Sequence, residues 1–480
     1  MKDLISLESA DLKKTVFQNT AVTLVGRAVT LLLGLGASVL LVRTLGREQY
    51  GQYASFYAYL ALFCWLPSLG MEQVIVRESS IQTEKEGSIF GTSVLLSVGL
   101  SIGATLIALL SSIFWHYADG YEILLFVAAL DTLLLTPLRL TALIFHTRLK
   151  HGYIITASIA RQTLWLFAII IASLHDANLP IIIWAHFFCS LLEFSTLFFF
   201  ARKFVSFNWR WNTTIARDLL KKSWPLVLSA ASFAIYNRID QTMLHKLRTN
   251  QELGFYATAV NITEAFVILP LALMTAMLPI LSKSALQTER FEHYTALCFR
   301  YVMVPGFWIC LLVTLISKPL IFILYGAEFE PSAEVLQLLI WSELAVFFGS
   351  VMTHALIAKE LQMYSFISML LGALVNIFLN FLLIPRWGIF GATWATIVSH
   401  TLAASLIFLF LSPTRRLVLV GIKVSLVPFG IAIPCVAFAW SAHGYPSMAL
   451  ILISYAVGTL LLKSWSLNDI RFIRNICFRN

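Results

Sequence analysis

The chain has 480 residues, 59% of them hydrophobic and 12% charged, with a mean hydropathy of +0.82. Soluble globules carry about 25% charged residues, so a water-soluble enzyme or nucleic-acid-binding domain is excluded and an integral membrane protein is indicated. The formal charge of +9 reads as a topology signal, because the basic residues gather between apolar runs and form no nucleic-acid patch.

In chain order, a polar and charged segment to about Thr15 precedes an apolar run too long for the core of a signal peptide. The first span is therefore expected to remain in the protein. Runs near or above the roughly 20 residues that cross a hydrocarbon layer follow, centred near residues 29, 60, 101, 133, 163, 190, 235, 269, 305, 344, 372, 400, 428 and 456. The expectation is an all-α polytopic protein of about fourteen transmembrane helices. An even count places both termini on one side. That side holds most of the Lys and Arg, which makes it cytoplasmic. Cys64, Cys189, Cys298, Cys310, Cys435 and Cys477 form no C-x-x-C pair and read as packing residues.

The chain is duplicated. Tyr50-Gly51-Gln52-Tyr53-Ala54, after the first span, returns 203 residues later as Leu253-Gly254-Phe255-Tyr256-Ala257 after the seventh. Tyr153 matches Tyr364, and Trp184-Ala185 matches Trp394-Ala395, at offsets of 211 and 210. Copies six spans apart enter the membrane in the same direction, so a pseudo-twofold axis along the membrane normal relates them, with substrate expected between the bundles. The predicted organisation is a six-helix bundle over residues 1–201, a basic cytoplasmic linker over 202–223, a second six-helix bundle over 224–411, and two extra helices with a cytoplasmic tail over 412–480. The linker mixes Trp and Phe with six basic residues, which suits either a topology determinant or contact with anionic lipid.

Motifs for enzymatic chemistry are missing: there is no H-E-x-x-H, D-x-D or P-loop, and Gly34-Leu35-Gly36 fails the dinucleotide pattern and lies inside a span. That glycine pair reads as a close helix contact. No cofactor, metal or nucleic-acid partner is expected.

Ionisable residues in the spans carry the information, since each costs roughly 2.5–3.5 kcal/mol at mid-membrane unless partnered or facing a cavity. Asn19, Thr23, Arg27, Thr30 and Gly34 share one helix face. Ser229, Ser232, Tyr236 and Asp240 make a similar stripe in the seventh span, with Arg238 beside it. Asn261 and Glu264 share a face in the eighth span, and Tyr50, Tyr53 and Tyr57 in the second. The candidate cavity residues are thus Asn19, Thr23, Arg27, Tyr53, Arg238, Asp240, Asn261 and Glu264. Asp131 and Arg161, at matching depths, read as a structural ion pair, with Glu343 the repeat counterpart of Asp131 at an offset of 212. His186, His354 and His400 read as packing or helix-contact residues.

Val42-Arg43-Thr44-Leu45-Gly46-Arg47-Glu48-Gln49-Tyr50-Gly51-Gln52-Tyr53-Ala54, Leu69-Gly70, Val76-Arg77-Glu78, Asn237-Arg238-Ile239-Asp240, Leu278-Pro279 and Ile384-Pro385-Arg386-Trp387-Gly388-Ile389-Phe390-Gly391-Ala392 together carry a family resemblance. Over residues 12–410 the chain resembles the polysaccharide-transport branch of the MATE/MOP flippase superfamily, including Wzx-type O-antigen flippases. That resemblance implies a 6 + 6 bundle with a central cavity of alternating access. It implies flipping of an undecaprenyl-diphosphate-linked oligosaccharide from the inner to the outer leaflet of a bacterial cytoplasmic membrane, with Arg27 and Arg238 at positions that hold the diphosphate. The span acids Asp131, Glu193, Asp240, Glu264 and Glu343 depart from a strongly cationic cavity. Membrane lipids and the polysaccharide polymerase machinery are the other expected partners. Two other readings stay open: a MATE-type cation-coupled multidrug exporter, which Glu264 and Asp240 could serve, and a membrane polysaccharide polymerase.

Overall fold

A computed structural model describes residues 2–148, 150–441 and 445–462, with side chains for 25–148, 150–224, 226–435 and 450–462. Among the described residues there is no strand. The helices are α1 (Lys2–Ala61), α2 (Met71–Ile81), α3 (Glu86–Phe114), α4 (Glu122–Ala129), α5 (Thr136–Thr141), α6 (Ile144–Thr147), α7 (His151–Leu174), α8 (Leu179–Ala201) and α9 (Thr213–Leu247). They continue as α10 (Asn250–Glu264), α11 (Ile268–Ser284), α12 (Thr288–Tyr325), α13 (Glu330–Leu339), α14 (Ser342–Ala358), α15 (Gln362–Thr401), α16 (Ile407–Phe410), α17 (Ser412–Ser441) and α18 (Tyr445–Leu461).

Nine stretches among the described residues are long and apolar enough to cross a membrane, or ten if the 43° bend between Ala327–Leu339 and Ser342–Ala358 lies within one span. Two of them, Val25–Ala61 and Gln362–Phe410, each cover two of the predicted spans. The reason is a single residue in each: Gly46 (φ 66°, ψ 177°) and Gly388 (φ 55°, ψ −130°) break the helical path without ending the helical run. Only glycine adopts such a backbone without strain. α9 is not among the nine, since Tyr236-Asn237-Arg238-Ile239-Asp240 interrupts its apolar character.

The helices are inverted relative to those of a soluble protein. On α3, Ile102, Leu106, Leu110 and Ile113 are exposed at helical spacing, while Ser101, Ala104, Thr105, Ala108 and Ser112 are buried. An exposed apolar ridge over a small-residue seam is what lipid outside and close helix packing inside require. α1 packs along α7 in the same way. A side chain at Gly34 would meet the Gln162 amide at 2.8 Å, whereas Gly36 faces open space, so only the first of that glycine pair serves a close contact.

The chain forms two compact units, residues 1–246 and 247–480. The first has a core of Met71, Ile75, Phe90, Leu140, Phe145 and Leu197, and the second one of Met274, Phe299, Phe307, Val351, Met352 and Tyr455. α9, the repeat counterpart of α1, is held within the first unit at both ends. Lys222 Nζ lies 3.0 Å from Glu78, His245 Nε2 is 2.8 Å from the Tyr117 carbonyl, and Lys246 Nζ donates to the His116 carbonyl at 3.0 Å. The helix also starts earlier than expected: residues 213–223, assigned to the linker from sequence, are its first turns, because the Asn212 side chain caps the Ile215 N–H at 3.1 Å. The remaining linker is pinned to α3, where Asn208 N–H donates to the Gly87 carbonyl at 3.0 Å and its amide to Ser88 at 3.1 Å.

Positions aligned by the sequence repeat lie in comparable surroundings. In the first unit the Gln49 side chain accepts from Leu179 N–H at 3.1 Å, tying the motif after the first span to the start of α8. The position matching Gln49 is Glu252, and its carboxylate sits 2.6 Å from where a side chain at Gly388 would be. There Arg248 donates to the carbonyls of Ile384 and Pro385 at 3.0 and 2.9 Å, covering acceptors that the break leaves exposed. Gly388→Ala should therefore lower stability by more than about 1 kcal/mol, read as an earlier thermal midpoint in detergent, and Arg248→Ala should do the same by stranding two carbonyls.

Candidate functional site

The polar residues of the first unit converge on a network inside the membrane-spanning helices. Tyr50, Tyr53 and Tyr57 lie along one face of the second arm of α1, with ring centroids 6.3 and 4.7 Å apart in sequence order. The Tyr57 hydroxyl donates to Asp131 at 3.3 Å and lies 3.1 Å from His186 Nδ1. His186 Nδ1 is 2.6 Å from the same Asp131 oxygen, and its ring packs edge-on against Trp165 and Tyr57. Asp131 occupies a π-helical turn, Leu130–Leu134, a local widening that recurs at functional sites.

A second pair completes the network. Arg161 Nε is 2.9 Å from Glu193, whose other oxygen accepts from Ser158 at 2.8 Å, while the Arg161 guanidinium also donates to Gln162 at 2.9 Å. Gln162 is the residue against which Gly34 closes. The expected Asp131–Arg161 ion pair is thus corrected: depth matched them, but α8 supplies each with a nearer partner. His186, read as a packing or helix-contact residue, makes such a contact as the hydrogen-bonding partner of Asp131. An acid in an apolar span needs a cation or donor, and α8 carries His186 and Glu193 seven residues apart on one face. That spacing was legible in the sequence, although the pairing partners were not.

The candidate cavity residues divide between the units. In the first, Tyr53 belongs to the network, with Asp131 and Arg161 in electrostatic range. Arg27 lies exposed on the other arm of α1, in electrostatic range of His146 and His151, whose rings meet at 4.9 Å. Among the described residues no hydrogen bond or ion pair joins Arg27 to another candidate. Arg238 is half-buried on α9, in electrostatic range of Cys64. Asp240 is buried, its carboxylate accepting from the Gln241 N–H at 2.7 Å. In the second unit, Asn261 is half-buried and Glu264 exposed, both on α10. The side chains of Asn19 and Thr23, and all of Cys477, lie outside the described residues.

The second unit holds a polar cluster that sequence reading missed. Asn380 donates to Asn376 at 2.8 Å, Asn376 to Ser399 at 2.8 Å, and the Tyr256 hydroxyl is 3.2 Å from Thr396. Two asparagines at i and i+4 in an apolar helix were the available signal.

Removing one member of a buried pair strands the other charge and costs about 3–5 kcal/mol. Arg161→Ala should therefore destabilise the protein strongly in a thermal melt, and Arg161→Leu combined with Glu193→Leu should recover most of the loss.

The family model described as "Polysaccharide biosynthesis protein" matches residues 40–334. Comparison with curated protein sequences finds no match. Among solved structures, the chain is similar to the lipid II flippase MurJ in an inward closed conformation, at 15% identity and a TM-score of 0.71, covering 93% of this chain and 98% of that one. It is similar to a multidrug resistance MATE family transporter of the MOP superfamily in an inward-facing conformation, at 12% identity and a TM-score of 0.64, with 82% and 95% covered. A Vibrio cholerae MATE transporter mutant follows the same path at 14% identity and a TM-score of 0.57, with 85% and 99% covered. The fold is therefore that of MOP-superfamily transporters, and the chain belongs to the polysaccharide biosynthesis protein family.

Proposed function

We propose that the protein flips an undecaprenyl-diphosphate-linked oligosaccharide repeat unit, the precursor of an O-antigen, capsule or exopolysaccharide, from the inner to the outer leaflet of a bacterial cytoplasmic membrane. The observation that carries this reading is the coincidence, over most of one chain, of a polysaccharide-biosynthesis family match with a fold shared by a lipid II flippase. A biosynthesis protein made of apolar helices fits the transport step of such a route. Two six-helix bundles alternating around a cavity, followed by two accessory helices, would carry the headgroup across while the lipid tail stays in the hydrocarbon. Both termini would face the cytoplasm, and the polymerase that extends the flipped unit would be the partner on the outer face.

Arg27 and Arg238 are the residues assigned to the diphosphate. A guanidinium can take two phosphate oxygens at once. Two of the span acids that weighed against a cationic site, Asp131 and Glu193, are engaged with His186 and Arg161. They repel the diphosphate less than the sequence suggested. A diphosphate of about two negative charges leaving a negative interior gains ~2.3 kcal/mol per charge per 100 mV, so the membrane potential supplies part of the drive.

The MATE likeness favours a second reading, cation-coupled export of drug-like molecules, because the fold is equally that of multidrug transporters. Deleting the gene in its host separates the two. Loss of surface polysaccharide, with lipid-linked units accumulating on the inner leaflet, supports flipping, whereas drug sensitivity with normal polysaccharide supports export. Arg27→Ala and Arg238→Ala, at normal protein level, should each fail to restore polysaccharide, with Lys at either position restoring it only in part. Wild-type polysaccharide from either alanine variant would remove that residue from the site.

A further inference from the structure

The two units treat one repeat-related acid differently. Asp131 lies at a π-helical turn in the fourth span of the first half, and Glu343 lies just past the 43° bend in the corresponding span of the second. Asp131 is held by His186 and Tyr57. The offsets of 210 and 203 that align the halves place Thr396 at the position of His186 and Val260 at that of Tyr57. Neither can supply a charge, and Val260 cannot donate a hydrogen bond. Thr396 instead meets Tyr256, the counterpart of Tyr53, at 3.2 Å.

Glu343 is consequently buried at 5% exposure with its Oε2 atom lacking any hydrogen-bond partner. Among the described residues, the titratable groups in electrostatic range of it are Glu264 from α10 and Cys310 from α12, whose thiol meets the Ile340 carbonyl at 3.3 Å, and neither is a cation. An ionised carboxylate so placed, with a second carboxylate in range, is far too costly to persist. Among the described residues no group of three His, Cys, Asp or Glu side chains could hold a metal ion.

We propose that Glu343 is a proton-binding site: its carboxyl carries a proton in the conformation described, with the exposed Glu264 as the outer acid through which the proton exchanges with water. A proton bound in one conformation and released in another couples that conformational step to pH. The orphan oxygen makes Glu343 the acid at which this coupling resides, whereas Asp131, already partnered, holds the first unit together. The coupling to transport rests on the transporter reading; the proton site does not.

Infrared spectra of the purified protein in lipid test the site without any substrate. At neutral pH the wild type should show the carbonyl stretch of a protonated carboxylic acid. It should vanish in Glu343→Gln, shift in Glu343→Asp, and persist in Glu264→Gln and Asp131→Asn. No protonated carboxyl in the wild type at neutral pH overturns the proposal even if the variants do not fold, as does a band that survives Glu343→Gln. Loss of the band on adding sodium at fixed pH also overturns it, assigning the site to a metal cation. In vesicles, flipping by the wild type should respond to an imposed pH gradient and flipping by Glu343→Gln should not; a variant that responds like the wild type removes the coupling while leaving the transport reading intact.

Discussion

In a hydrocarbon layer every backbone N–H and C=O must be satisfied within the protein, and every charge must find a partner or a wet surface. That constraint explains where the irregular features of this chain sit and why each is accompanied by a polar side chain. Gly388 breaks α15, and Arg248 reaches across to cover the carbonyls of Ile384 and Pro385. The start of α8, where a helix has unsatisfied N–H groups, receives the Gln49 side chain. The residues around these breaks thus serve, in large part, to interrupt helices inside an apolar environment without stranding backbone groups.

The same constraint governs the span charges. Arg161 and Glu193, on neighbouring helices α7 and α8, satisfy one another and fasten α7 to α8. Asp131 could not remain in its π-helical turn without His186 and Tyr57, so the tyrosine face of α1, the turn in the fourth span and α8 are joined at one carboxylate. A lipid-facing helix bundle has little hydrophobic drive between its helices. Small-residue seams such as that on α3, together with a few such polar ties, hold the unit together.

Much of this was legible in sequence. The apolar runs and the repeat follow from composition and spacing, because length and hydropathy are local properties. The kinks at Gly46 and Gly388 join neighbouring spans into single helical runs, which local hydropathy reads as separate. The start of α9 was missed because Asn212 caps a helix whose first turns are polar. The partners of Asp131 and Arg161 were missed for a different reason. Depth in the membrane restricts which residues can meet but leaves several at each level, and the choice depends on helix rotation, which a single sequence does not supply. His186 and Glu193 share a face of α8, and that was the one available signal.

Duplication brings a further consequence. The two halves carry a carboxyl group at matching positions, Asp131 and Glu343, and each has to neutralise it. The first half does so with side chains, through His186 and Tyr57, which fixes its charge and its shape together. The second half has Thr396 and Val260 at those positions, so neutralisation falls to something that can come and go. A fixed ion pair resists rearrangement, since separating it strands a charge. A carboxyl neutralised by a mobile ion can change its surroundings whenever that ion leaves. Dividing the roles this way gives the first unit a rigid polar core and the second a responsive one.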